Sequence, residues 1–353
     1  MRKFLKRSML TAVASLSLAF VAACGSDSSS EPANDGGQAD ASEEVEVNYG
    51  ERPSTVVIGT ASQGGTYFIY GGGLASLLER EFGVTANVEV TGGPVHNMQL
   101  VNGKQQDIGM VTLGPGYEGY NGTGEWTGGE KLTDIRVAFP MYTTPFHWWA
   151  LENSGVKSLE DMDGKRVGVG PSGGTSGTYL PLIHEALGLN VTSVQAGASD
   201  MTSQQMDGQL DVIGFAAGIP ISAVSEVEAQ RELNFFGIDG EKRDLVIEKY
   251  PFFYPFTIPA GTYNQLEEDL ETIAQFNFGI VHKEMDPEFV YEFVKAYHEN
   301  QDLLKTTHSS AEEAVAEAIL FNDSLPLHPG AIRYYEEIGI ELPESVYPPE
   351  YQK

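Results

Sequence analysis

The stretch Gly170-Pro-Ser-Gly-Gly-Thr-Ser-Gly-Thr-Tyr179 crowds glycines and hydroxyl side chains into one turn. It lies between a strand-like run, 165–169, and a helix-like run, 180–187. Two chemistries fit such a turn. Gly170, Ser172 and Gly174 satisfy G-x-S-x-G, the pattern that sets a nucleophilic serine on a sharp strand-to-helix elbow. The same turn could equally cradle an anion, because the first turn of a helix has unpaired N–H groups and a partial positive charge. One reading makes the protein an enzyme, the other a binding protein.

The rest of the chain weighs on that choice. In an α/β-hydrolase the base follows the serine, yet His282, His298 and His308 fall in or beside segments that read as structural helices, and no HGGG-type oxyanion loop occurs. A serine hydrolase using Ser172 therefore stays as the alternative. The seven histidines form no His-x-x-x-His pair or Cys/His cluster, so no metal is expected. The Gly170 turn lacks the lysine of a Walker loop, and no G-x-G-x-x-G stands in a strand–helix context, so no nucleotide cofactor is expected. Without lysine or arginine in the turn, a multiply charged phosphate is poorly served. A single carboxylate can be held by backbone N–H and hydroxyl donors alone.

The elements that would position these residues repeat one grammar. Thr55–Gly59 reads as a strand, followed by the turn Ser62-Gln-Gly-Gly-Thr-Tyr67 and a helix over 73–82. A strand over 86–90, the turn Gly92-Gly-Pro-Val-His-Asn97, a helix starting at 95–101 and a strand over 107–111 continue it. Alternating strands and helices imply parallel sheets flanked by helices, with ligands beyond the carboxyl ends of the strands. A second set opens near Val167. The motif Gly64-Gly-Thr66-Tyr67 returns as Gly173-Gly-Thr175 shortly before Tyr179, as two facing half-sites would. Chain crossings between two lobes are expected near 146–151 and 250–259. Toward the C-terminus, Asp286-Pro287 predicts a capped helix with Val290, Phe293, Val294 and Tyr297 inward, and Ser310-Ala-Glu-Glu313 predicts a capping box for another.

The N-terminus gives an address. Residues 1–23 combine a cationic start with an apolar stretch over 9–23 that is short for a membrane span, as in a signal peptide. Val21-Ala-Ala-Cys24 resembles a lipobox, and Cys24 is the single cysteine, so acylation there would hold the protein at an extracytoplasmic membrane surface. Residues 24–52 read as a lipidated, disordered linker. The net charge of −29 becomes about −33 once Arg2, Lys3, Lys6 and Arg7 leave with the signal peptide, which excludes a nucleic-acid partner. About 300 residues remain for two lobes: 54–147, then 148–250, then 251–353 returning to the first lobe with the C-terminal helices.

Four stretches in order, "IGTASQGGTYFIYGGGLA", "VTGGPVHNMQLV", "DMDGKRVGVGPSGGTSGTY" and "PLHPGAIRYYEEIG", resemble the solute-binding subunits of TAXI-type TRAP transporters, also called immunogenic proteins. The resemblance implies a two-lobed periplasmic-binding-protein fold of type II, each lobe a mostly parallel sheet flanked by helices. It implies a monomer without cofactor that delivers a glutamate- or glutamine-like solute, keto acid or dicarboxylate to an ion-driven permease. Carried onto this chain, it places Gly65, Thr66 and Tyr67 in the first half-site, with His96, Asn97 and Thr112. The second half-site would hold Ser172, Gly174, Thr175 and Ser176, with Phe215 and Pro220 as an apolar wall. Proline and histidine in "GGPVHN" depart from the family's more polar pattern and leave open what meets the ligand's distal group.

Overall fold

In the computed structural model, residues 47–351 are described. The expected signal peptide, Cys24 and most of the linker lie outside that range. Residues 49–52 of the expected linker are held on the body: Gly50 N–H donates to the Glu284 carbonyl (2.7 Å), and Arg52 pairs with Glu292 (2.7 Å).

The first half of the fold opens with β1 (Thr55–Gly59), α1 (Thr66–Phe82), β2 (Thr85–Glu89), α2 (Pro94–Asn102), β3 (Ile108–Thr112) and α3 (Leu113–Asn121). Strand β4 (Ile135–Leu151) then leads into the second half. That half contains β5 (Arg166–Gly168), α4 (Thr175–Ala186), β6 (Thr192–Val194), α5 (Ala198–Met206), β7 (Val212–Ala216), α6 (Ser222–Glu228), β8 (Leu233–Phe236) and α7 (Gly240–Lys249). The return runs through β9 (Tyr254–Ile258) and β10 (Leu270–His282) to α8 (Pro287–Glu299), α9 (Gln301–Thr307) and α10 (Pro329–Glu337).

Strand order is β2-β1-β3-β10-β4-β7-β5-β6, with β8 also on β4 and β9 on β10. The β1–β2, β1–β3, β5–β6 and β5–β7 pairs are parallel, as strand–helix alternation requires, whereas β4 and β10 join the sheet antiparallel. The expected crossing at 146–151 is no separate linker but the second half of the 17-residue β4. Its partner, the 13-residue β10, lies alongside, so two long paired strands connect the halves. The second crossing expected at 250–259 falls on β9, the edge strand beside β10.

Period-two geometry explains how β4 serves two cores. Successive side chains point to opposite faces, so Trp148 packs with Val167, Leu180 and Ile183 while Trp149 packs with Met201, Ile213 and Val224. A separate core, with Tyr70, Leu74, Leu78, Ile280 and Phe293, fills the first half. Burying each such side chain contributes roughly 1.5–3 kcal/mol.

The helix signals fare unevenly. Asp286 caps α8 through bonds to the N–H groups of Glu288 and Phe289, and all four expected inward residues are buried. The expected helix after Ser310 is instead two short 3-10 turns, 309–313 and 316–321. The reason is a competing partner: the Glu313 carboxylate accepts from Thr143 N–H (3.0 Å) on β4 rather than reaching back to cap its own turn. Helices α1 and α4 each begin a turn or more earlier than apolar periodicity indicates, so Thr66 and Thr175 are first helical residues rather than loop.

Candidate functional site

Between the two halves lies a cavity of about 30 Å³, lined by Ala61, Ser62, Gly65, Thr66, Tyr67, Pro94, Thr144, Pro171, Gly174, Thr175, Ser176, Phe215, Ala216 and Ala217. Three helices start at it: α1, α4 and α2, whose first residue, Pro94, has no N–H and whose next N–H, Val95, is spent on the Gly173 carbonyl. Gly65 caps α1 and Gly174 caps α4, and neither helix has a side-chain cap. A glycine cap supplies no oxygen to the first-turn N–H groups, so both positive helix ends keep donors for whatever enters.

The hydroxyls around the cavity differ in what they already bind. Thr66 Oγ1 donates to the Gly218 carbonyl (2.5 Å), tying α1 to the second half. Thr175 Oγ1 lies 2.9 Å from Thr112 Oγ1, tying α4 to the end of β3. Asn277 is a hub on β10: it donates to Thr144 Oγ1 (2.6 Å) and accepts from the Tyr67 hydroxyl. The Tyr67 phenol is held far above its usual range by burial, so it is a neutral donor. Ser176, 1% exposed, lines the cavity, and its hydroxyl makes no hydrogen bond among the described residues.

Of the residues expected at the site, Gly65, Thr66, Tyr67, Gly174, Thr175, Ser176 and Phe215 meet on the cavity. Five do not line it. Ser172 is exposed, one residue before the close contact of two turns, and so presents no hydroxyl to the cavity; no histidine lines the cavity either. His96 is exposed, with Nδ1 accepting from Gly92 N–H (3.2 Å). Asn97 is buried as a brace, donating to the carbonyls of Thr60 (2.8 Å) and Met110 (2.9 Å). Thr112 stands behind Thr175. Pro220 follows a cis bond and lies on a different surface, where its carbonyl meets His308 Nε2 (3.1 Å). Sequence reasoning missed Ala61, Ser62, Pro94, Thr144, Pro171, Ala216 and Ala217. Ser62 stands in the quoted Gly64 turn and Pro171 in the Gly170 turn, but Thr144 lies inside a continuous strand pattern that carries no site signal.

The glycines of the second turn have a role beyond an open approach to a ligand. A Cβ on Gly93, whose φ is +104°, would stand 2.8 Å from Gly174 Cα, and Val95 N–H donates to the Gly173 carbonyl (3.0 Å). The two Gly-rich turns touch backbone to backbone across the cavity, a contact that side chains would prevent. The Ser62 turn closes the other flank, where Ser62 Oγ accepts from Ala198 N–H (3.2 Å) and the Gly64 carbonyl accepts from Ser222 Oγ (3.0 Å). Among the described residues, no three His, Cys, Asp or Glu side chains gather as a metal site.

Two sheet halves joined by long antiparallel strands, with helix N-termini facing a cavity between them, define the type II periplasmic-binding-protein fold. MatC from Rhodopseudomonas palustris, solved with bound malate, shares it at a TM-score of 0.53 and 12% identity, covering 80% of this chain and 98% of that one. The periplasmic binding protein BugD shares it at a TM-score of 0.51 and 15% identity, covering 83% and 100%. The chain belongs to the NMT1-like family, which its residues 58–339 match.

Proposed function

We propose that this protein is an extracytoplasmic solute-binding protein that captures a small carboxylate between its two lobes and hands it to a TRAP-type ion-driven permease, without chemistry on the solute. One observation carries the reading: α1 and α4, one from each half, both begin at uncapped glycines on the same cavity. Such ends attract an anion, and a low-dielectric enclosure strengthens each donor. Family membership and the shared fold support solute binding. The quoted sequence resemblance supports the TRAP assignment, and the Ala-Ala-Cys24 context supports attachment through lipid. The lobes, 54–147 with 251–353 and 148–250, would open and close as rigid bodies about β4 and β10.

A thermal-shift screen over monocarboxylates, dicarboxylates, amino acids, amides and sugars tests this reading. A solute at about 100 times its dissociation constant should add roughly 2.7 kcal/mol of stability. Stabilisation by a sugar alone, or an unmoved melting temperature across all the acids, would sink it.

A further inference from the structure

We infer that the solute is a short monocarboxylate without an ammonium group, such as a small 2-oxo or 2-hydroxy acid, rather than an amino acid or a dicarboxylate. This rests on the carboxylate-binding reading above and narrows it. Three observations carry it.

The first is charge. Among the described residues, none of the side chains lining the cavity is charged: no carboxylate is there to meet an ammonium group, and no lysine or arginine to meet a second carboxylate. The ends of α1 and α4 supply about half a positive charge each, which together match one negative charge, while the start of α2 at Pro94 is engaged by the Gly173 carbonyl. A dianion would leave a buried charge unmatched, and so would the ammonium group of an amino acid.

The second is a free donor. The Ser176 hydroxyl, buried in the first turn of α4 and unused by the protein, opens on the cavity beside these N–H groups. It fits a carboxylate oxygen. Thr144 already accepts from Asn277, so its own proton can be donated to a second oxygen, such as a 2-oxo group. The third is size and wall. The cavity of about 30 Å³ corresponds to roughly two or three water positions, and Phe215 with Ala217 gives it an apolar side suited to a methyl or ethyl group.

Calorimetry and thermal shift on the full-length protein in detergent, with pyruvate, L-alanine, succinate and L-glutamate, test the inference. Pyruvate and L-alanine have the same carbon count and differ at the ammonium group. Pyruvate is expected to bind, with L-alanine and succinate weaker by about a hundredfold. Ser176→Ala should weaken pyruvate about tenfold or more. L-alanine, L-glutamate or succinate binding as tightly as pyruvate would overturn the monocarboxylate class while leaving solute binding intact. Silence from all four, and from the wider acid panel, would instead overturn the carboxylate reading on which the inference stands.

Discussion

Thr112 Oγ1 and Thr175 Oγ1 share a 2.9 Å hydrogen bond that joins the end of β3 in one half to the first residue of α4 in the other. Both residues are buried, so removing one hydroxyl leaves the other without its protein partner. Thr112→Val is predicted to cost about 1–3 kcal/mol in the closed form, or roughly one to two decades of solute affinity. The Thr112→Val/Thr175→Val pair should recover part of that loss, because no orphan hydroxyl remains. Calorimetry on the two single variants and the double variant measures the coupling, and strictly additive losses would show that the bond does not act as a latch.

Gly93→Ala tests the turn-to-turn contact. The new Cβ would press on Gly174 Cα at 2.8 Å, and φ of +104° strains any residue with a Cβ. The variant should keep its fold but hold the halves apart. Small-angle scattering is expected to show contraction on solute addition for the wild type and none for Gly93→Ala, with affinity down by about tenfold or more. Equal contraction in both proteins would mean that the turns separate without consequence for closure.

Ser172 and Ser176 separate the two readings of the Gly170 turn. Ser176→Ala is predicted to remove one charge-assisted hydrogen bond, about 1.5–3 kcal/mol, whereas Ser172→Ala should leave affinity within error because its side chain is exposed. A loss confined to Ser172→Ala, or labelling of Ser172 by a serine-directed phosphonate, would favour the hydrolase instead.

This contrast also marks how far the sequence could be read. Strand–helix alternation disclosed the fold class and the paired Gly-Gly-Thr turns the strand-to-helix junctions, because both depend on local geometry, but apolar periodicity placed the starts of α1 and α4 later than Thr66 and Thr175. Spacing within the turn could not say which serine faces inward. Ser172 precedes the cap glycine and Ser176 follows it, and the first turn of α4 carries only the latter to the cavity. Thr144 was illegible for another reason: its partner Asn277 lies across the β4–β10 ladder, 133 residues away in sequence. His96, which looked like a site residue beside Gly93, is turned outward because α2 faces the core with Val95, Asn97 and Met98.

Four histidines, of which His147, His184 and His328 are buried and His298 half-buried, predict acid sensitivity. Burial lowers His147 and His184 to about 4, and His298 and His328 to about 3, against about 6.5 in an unfolded chain. Their folded-state values are depressed, so below pH 6.5 the unfolded chain binds protons that the folded chain refuses. Stability is therefore full above pH 6.5 and falls as pH drops toward 4, by about 1.4 kcal/mol per pH unit for each histidine. His147 Nε2 lies 3.0 Å from the Tyr263 hydroxyl, which also accepts from Ile221 N–H. His147→Gln can still hydrogen-bond there but does not titrate. Urea melts at pH 7.5, 6, 5 and 4.5 should show a shallower decline for His147→Gln than for the wild type; parallel curves would remove His147 from the acid response.

The C-terminal segment fastens onto the strand that spans both halves. Arg136 on β4 forms a fork with Glu350, Nε to Oε1 at 2.6 Å and Nη2 to Oε2 at 2.9 Å, while Nη1 donates to the carbonyls of Thr133 (2.9 Å) and Ile135 (2.7 Å). The side chains of the pair are only 4% and 2% exposed. A buried pair is costly to break from one side, because the remaining charge has no counter-ion and little water. Glu350→Gln should therefore destabilise by about 3–5 kcal/mol, lowering the melting midpoint by on the order of 10 °C, with solute affinity at room temperature unchanged since neither residue lines the cavity. Replacing both, Arg136→Met with Glu350→Leu, removes the stranded charge and should restore most of the midpoint. If Glu350→Gln melts like the wild type, the tail is dispensable; if the double variant melts no higher than Glu350→Gln, the loss comes from packing of the tail on β4 rather than from an unmatched guanidinium.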